Sequence, residues 1–188
     1  MGYLYLTLIV GILSFVPKEN PSVEALDYIA TYKDLAIAEM YRTGVPASIK
    51  MAQALHESNL GKSDLAIHAN NHFGIKCKKY WKGGTYYHKD DDFDAQGNLI
   101  DSCFRSYGIS SDSWVDHSNF LKNRGNYVHL FLLDRTNYKA WAVGLQKAGY
   151  ATDKAYAQKI INKIELYGLY ELDKADNPFK KLNVLKTR

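Results

Sequence analysis

Glu57 stands in the run Ala54-Leu55-His56-Glu57-Ser58-Asn59-Leu60-Gly61, at the C-terminal end of an apolar helical stretch. The negative end of a helix dipole disfavours a carboxylate there, and partial burial pushes the same way. Both effects raise the pKa, and a carboxyl kept protonated near neutral pH can give its proton to a leaving sugar oxygen. From position alone, a solvated surface Glu is the favoured reading. Glycoside hydrolysis also uses a second carboxyl about 5–9.5 Å away across a cleft. The run Asp90-Asp91-Asp92-Phe93-Asp94 is its candidate source, because a hairpin opposite the helical body would deliver one of these acids. The plain alternatives are a solvated acidic turn and a calcium loop, and the EF-hand spacing is absent. His56-Glu57 also invites a zinc-protease reading. That motif needs a second His four residues after the first, and the residue there is Leu60.

Cys77 and Cys103 flank the predicted hairpin region. In an exported protein they are expected to pair, which would stabilise the fold by roughly 3 kcal/mol. In a reducing compartment they would be free thiols. A zinc site with His72 and His88 is the third reading, although the paired Cys-x-x-Cys spacing of structural zinc is missing. No metal is expected. His68, His117 and His129 read as structural or surface residues. Lys76, Lys78, Lys79 and Lys82 surround Tyr80 and Trp81. This patch reads either as a solvated loop or as an attractor for anionic substrate, with Trp81 stacking on sugar.

The elements that must position these groups are mostly helical. Residues 22–43 repeat apolar positions at helical spacing, and Gly44 is a natural stop. Pro46 suits the first turn of a second helix running to residue 58. Ser63 caps a short helix to residue 69. Turn signals at Gly83-Gly84 and Gly97-Asn98 separate two short strands, residues 85–88 and 99–107. Helical periodicity returns over residues 111–123, 136–148 and 152–167, with Gly149 and Gly168 just past two of the ends. The predicted fold is mainly α with a small β-hairpin lobe.

At 188 residues, with 46% hydrophobic and 23% charged, the chain is one domain with short tails. A net charge of +4 falls short of the dense basic clustering of a nucleic-acid binder, so no nucleic acid is expected. Residues 3–16 are apolar but too few for a membrane span, which needs about 20. They fit a signal peptide or an anchor, without a basic n-region or a clear cleavage site, and the plain alternative is a buried N-terminal strand or helix. Residues 1–22 are therefore taken as this segment and its linker, residues 23–173 as the folded domain, and residues 174–188 as a basic polar tail.

Several separate motifs agree in order and spacing: Gly44-Val45-Pro46-Ala47-Ser48, Ala52-Gln53-Ala54, Glu57-Ser58-Asn59-Leu60-Gly61-Lys62-Ser63, Asn70-Asn71-His72-Phe73-Gly74-Ile75-Lys76, Cys103-Phe104-Arg105-Ser106-Tyr107 and Ala148-Gly149-Tyr150-Ala151-Thr152-Asp153 with Tyr156-Ala157. Together they resemble the glucosaminidase domain of family 73 glycoside hydrolases, found in bacterial autolysins and the flagellar peptidoglycan hydrolase. The resemblance implies a lysozyme-like α+β fold. It also implies an endo-β-N-acetylglucosaminidase that cleaves the β-1,4 bond after N-acetylglucosamine in peptidoglycan. Glu57 matches the family's general acid. The hairpin acid, commonly Glu, falls at Asp92, with Asp91 as understudy. Tyr150 matches a tyrosine lining the catalytic sugar subsite. Asn71 and Phe73 match the loop beside the acid, and Tyr107 matches an aromatic near the cleft floor. No cofactor is implied. The expected partner is peptidoglycan, and the expected form is an exported monomer in the cell envelope, touching membrane only through an uncleaved N-terminal segment. The shorter Asp at 92 motivates an alternative, a wall-glycan-binding module with weak or no turnover. A third reading keeps catalysis but acts on chitin oligomers or glycoprotein glycans.

Overall fold

The helix α2 (Ala47–Glu57) is buried along all of residues 47–55, and the other elements are arranged to cover it. The computed structural model of the chain describes residues 20–180. The expected N-terminal apolar segment and the last residues of the tail lie outside the described residues. Around α2 pack α1 (Val23–Thr43), α5 (Tyr138–Lys147), α6 (Tyr156–Leu166) and a 3-10 turn at Leu169–Lys174. Large apolar side chains, among them Trp141, Leu145, Ile160 and Ile164, fill the space between them. Among the described residues no helix is long and apolar enough to cross a membrane.

Local chemistry sets the helix ends. Ser22 caps α1 by accepting a hydrogen bond from the Ala25 N–H, and Gly44, at φ 93°, closes it through the Met40 carbonyl. Ser63 caps α3 (Asp64–Ala69), and Asn137 caps α5. The buried polar side chains of α2 find partners across the core. The Ser48 N–H and hydroxyl both donate to the Asp173 carboxylate, at 2.8 and 2.5 Å. Asp173 thus sits at the positive end of the α2 dipole. One turn beyond, the Tyr41 hydroxyl holds the Ala175 carbonyl at 2.6 Å, so the first residues of the expected tail are tied to α1.

The second lobe is an antiparallel hairpin of β1 (Gly84–Phe93) and β2 (Leu99–Ser106), in register from Gly84 opposite Ser106 to Lys89 opposite Asp101. A bulge follows, and pairing resumes at Phe93 opposite Leu99. β1 is longer than the sequence suggests, because the Asp run continues the strand through this bulge. A single bridge between Lys76 and Phe104 starts a third strand. A disulfide joins Cys77 to Cys103 beside that bridge, where the Cys77 N–H also meets the Cys103 carbonyl. Free thiols and zinc ligation are thereby set aside for this pair. From the helical side, α4 (Ser110–Lys122) packs on α1, and a 3-10 turn at Gly125–Leu132 leads into α5. That turn has no periodic signature in the sequence. α6 starts at Tyr156 rather than near residue 152, because the Asp153 carboxylate takes the Ala155 N–H in a preceding turn.

Candidate active site

Glu57 is the last residue of α2, and the chain leaves it through a sharp turn. Asn59, Leu60 and Gly61 all have positive φ (48°, 60° and 79°). The Ser58 hydroxyl braces the turn, donating to the Ala54 carbonyl at 2.6 Å and accepting the Gly61 N–H at 2.7 Å. This arrangement stops α2 at the wall of a cleft of about 450 Å³ between the helical body and the hairpin. Phe73, Tyr150 and Phe120 give it apolar walls, while Lys76, Lys78 and Asp90 line the hairpin side and Arg124 lines the rim.

Burial in this wall pushes the Glu57 carboxyl up to about 7, against a smaller opposing effect of its hydrogen bond with Tyr156. The Tyr156 hydroxyl donates to Glu57 Oε1 at 3.2 Å and itself accepts from Gln53 Nε2 at 2.9 Å. Oε1 is therefore occupied, which leaves Oε2 as the oxygen to carry the acid proton. Tyr156 is the partner of Glu57 that the sequence reading did not single out. It lies within one of the quoted motifs, but its contact with Glu57 spans 99 positions of chain.

Tyr150 stacks on Tyr156 with ring centres 5.4 Å apart, and its hydroxyl meets His117 Nε2 at 3.1 Å. Phe73 lies flat on the His117 ring at 4.0 Å. Glu57, Tyr150 and Phe73, expected in one site, thus share one cleft.

The hairpin acids are arranged differently from expectation. Asp92 is bound to the Ser102 hydroxyl and to Lys76 Nζ (2.8 Å), and it is not among the cleft-lining residues. Asp90 does line the cleft, with Lys76 Nζ at 3.0 Å. The bulge makes the difference. Three β1 residues, 90 to 92, oppose Ile100 alone, so a strand count from Gly97 or Phe104 does not carry through it. The hydrogen bonds from Lys76 and Ser102 hold the Asp92 carboxyl below the usual range. The Asp91 side chain lies outside the described residues.

Asn71 is 1% exposed and braces the loop from inside. Its amide donates to the carbonyls of Ile75 and Arg105 and accepts from the Ile75 N–H, which binds the loop beside the cleft to β2. Trp81 and Tyr107 meet edge to face at 5.8 Å in a neighbouring depression of about 430 Å³. There the Arg105 guanidinium lies over the Trp81 ring at 4.5 Å, and Arg105 and the Tyr107 hydroxyl both bind Asp116. A further hollow, lined by Phe120 and Arg124 in common with the cleft, lies between the two. Among the described residues no group of three or more His, Cys, Asp or Glu side chains is placed to hold a metal ion.

A helical body, a facing hairpin lobe and a carboxyl of raised pKa in the cleft between them define a lysozyme-like α+β domain. Comparison with known proteins is specific. Residues 33–169 match the Glucosaminidase family, described as mannosyl-glycoprotein endo-beta-N-acetylglucosaminidase. The chain belongs to this family of glycoside hydrolases. It is 36% identical over 143 residues to the exo-glucosaminidase LytG of Bacillus subtilis, covering 73% of this chain and 49% of that protein. It is 32% identical over 139 residues to the peptidoglycan hydrolase FlgJ of Pseudomonas aeruginosa, covering 71% of this chain and 34% of that protein. The chain thus spans half or less of these curated relatives. Among solved structures, the catalytic domain of the autolysin Auto from Listeria monocytogenes superposes with a TM-score of 0.67 at 25% identity, over 82% of this chain and 90% of that one.

Proposed function

We propose that the domain is a peptidoglycan hydrolase that cleaves the β-1,4 bond after N-acetylglucosamine, with Glu57 as general acid. The observation that carries this reading is the Glu57 carboxyl, held near 7 by burial in a cleft of glycan-binding size. Family membership and the named activities of LytG and FlgJ support the substrate class. Glu57 Oε2 gives its proton to the leaving oxygen. Asp90 takes the second-carboxylate role expected of Asp92, and Asp92 anchors Lys76. Because Lys76 binds both acids, each is better suited to orienting the sugar's N-acetyl group or a water than to acting as a strong base. Tyr150 and Phe73 form the wall at the reacting sugar. Trp81 and Tyr107 serve sugars further along the strand, since hollows continue from the cleft past Phe120 and Arg124. That continuation favours cutting within strands. The Cys77–Cys103 disulfide fits an oxidising location outside the cytoplasm, where the substrate lies.

The test compares wild type with Glu57→Gln on purified peptidoglycan, with borohydride reduction and mass spectrometry of the fragments. Reduced N-acetylglucosamine ends from wild type, falling at least 100-fold in the variant, are expected. Reduced N-acetylmuramic acid ends would overturn the bond assignment. Single sugars released from strand ends would make the enzyme exo-acting. The Lys76 pairing of the hairpin acids also motivates a second reading, a wall-binding module without turnover. Co-sedimentation with intact wall and no new ends would select it.

A further inference from the structure

Beneath the cleft lies a buried lysine that, among the described residues, no carboxylate pairs with directly. Lys50, on α2, is fully buried. Its Nζ contacts the Trp114 carbonyl at 2.5 Å, Ser118 Oγ at 2.7 Å and His117 Nδ1 at 3.3 Å. His117, also fully buried, reaches Tyr150 in the cleft through its other ring nitrogen. A chain of polar hydrogens therefore runs from the core to the cleft wall, insulated by Phe73 on the His117 ring and by Trp114.

Hydrogen counting gives this chain a direction. A lysine ammonium has three hydrogens and no lone pair, so all three contacts must accept from it. His117 Nδ1 is then bare, the ring's hydrogen is on Nε2, and Nε2–H donates to the Tyr150 oxygen. Tyr150 has no other protein acceptor among the described residues, so its own hydrogen points into the cleft. Neutral Lys50 has two hydrogens, for Trp114 and Ser118, and one lone pair that accepts from Nδ1–H. Nε2 is then bare and takes the Tyr150 hydrogen.

We propose that Lys50 is a positioning residue that acts through His117 to set the polarity of the Tyr150 hydroxyl, which donates to an acceptor oxygen of the substrate only while Lys50 is protonated. The interconversion balances as a relay. One Lys50 proton passes to Nδ1, the Nε2 proton passes to the Tyr150 oxygen, and the former hydroxyl hydrogen leaves to water in the cleft. Lys50 thus titrates without being exposed.

The groups facing Lys50 place this change in a useful range. Burial lowers its pKa to about 7, with Glu39 and Asp116 opposing and Arg42 assisting. Glu39 and Arg42 approach from α1, where they pair with each other at 2.6 Å, and Asp116 from α4, where Arg105 of β2 binds it. His117, whose pKa burial and then the Lys50 charge lower well below 6.5, stays a neutral relay. The acid proton on Glu57 and the donor on Tyr150 are thereby present over the same pH range.

The direct test is ¹⁵N NMR of the His117 ring in full-length Glu57→Gln, which removes the other group titrating near 7. The expected result is the Nε2–H tautomer at pH 5.5, converting to Nδ1–H with a midpoint near 7. A single tautomer from pH 5 to 9, or an imidazolium at pH 5.5, would overturn the proposal, whatever the enzyme's activity. The second test rests on the glycosidase reading. Above pH 7 log(kcat/KM) of wild type should fall more steeply than slope −1, by about a further 10-fold in all, for loss of protons from both Glu57 and Lys50. Lys50→Met, and equally Tyr150→Phe, should fall with slope −1 and react about 10-fold more slowly at pH 6. A slope of −1 in active wild type would also refute the relay. No turnover at all would count against the functional reading, and the tautomer measurement would still decide the relay.

Discussion

Glu57 shows how the burial of a single carboxyl couples stability to pH. Its carboxyl titrates near 7 in the folded chain, against an ordinary 4.5. The folded state therefore holds more proton than the unfolded state between these values, so this group's contribution to stability falls as pH rises from 4.5 to 7. Below 4.5 the carboxyl is neutral in both states and carries no penalty. Above 7 the full cost of burying the charge is present, roughly 3 kcal/mol as an upper figure. Glu57→Gln should accordingly match wild type in urea denaturation at pH 4 and exceed it by about 1–3 kcal/mol at pH 8. An equal difference at both pH values would show that the carboxyl is not buried as described. On the hairpin, Asp90, which lines the cleft, and Asp92, which does not, test the roles of the hairpin acids. Initial rates on peptidoglycan should fall more for Asp90→Asn than for Asp92→Asn, and less for either than for Glu57→Gln. A larger loss at Asp92 would restore it as the second carboxylate.

At the scale of the element, the turn after α2 and the bulge in β1 decide what the cleft contains. A Cβ on Gly61 would lie 3.0 Å from the Tyr28 ring, and the residue has φ +79°, so both space and conformation favour glycine. Gly61→Ala should lower stability by about 1–3 kcal/mol in urea titrations. It should also reduce turnover, because the same turn carries the end of α2. The hairpin depends on three anchors: the disulfide and the Asn71 amide to the loop that precedes it, and the Tyr86 hydroxyl on Asp64 of α3 at 2.7 Å. Reduction of Cys77–Cys103 should cost about 3 kcal/mol, read as a lower Tm with dithiothreitol than without. The ends of α1, α3 and α5 were legible in the sequence because Ser22, Gly44, Ser63 and Asn137 act locally. The length of β1 was not, since Lys76 and Ser102 hold the Asp run in the strand and neither is its neighbour in sequence.

For the molecule as a whole, charge and shape act together. The net charge is +4, and Lys76, Lys78 and Arg124 bring part of the positive charge to the cleft. Attraction to an anionic polymer through exposed cations weakens with salt, because the Debye length shrinks from about 10 Å at 0.1 M to about 3 Å at 1 M. Co-sedimentation with peptidoglycan should therefore weaken several-fold over that range, and Lys78→Ala with Arg124→Ala should flatten the dependence. Binding unchanged by salt would assign recognition to the aromatic walls alone. The order of helices and hairpin was readable along the chain, because helical spacing and turn residues are local signals. The pairing of the two lobes was not, because it rests on contacts between distant segments, such as Asn71 with Arg105 and Tyr28 with His72.

The sequence by itself determined the helical body, the inserted hairpin and the family, and pointed to Glu57 as the candidate acid, because caps, periodicity and motif spacing are written along the chain. Only the tertiary structure decided which groups surround that acid. Tyr156 is 99 positions from Glu57, and Lys50 is 67 from His117, so no local pattern records either contact. Likewise Asp90 reaches the cleft through a bulge held by side chains elsewhere. A pKa depends on burial and on partners across space, and both exist only once the chain has packed.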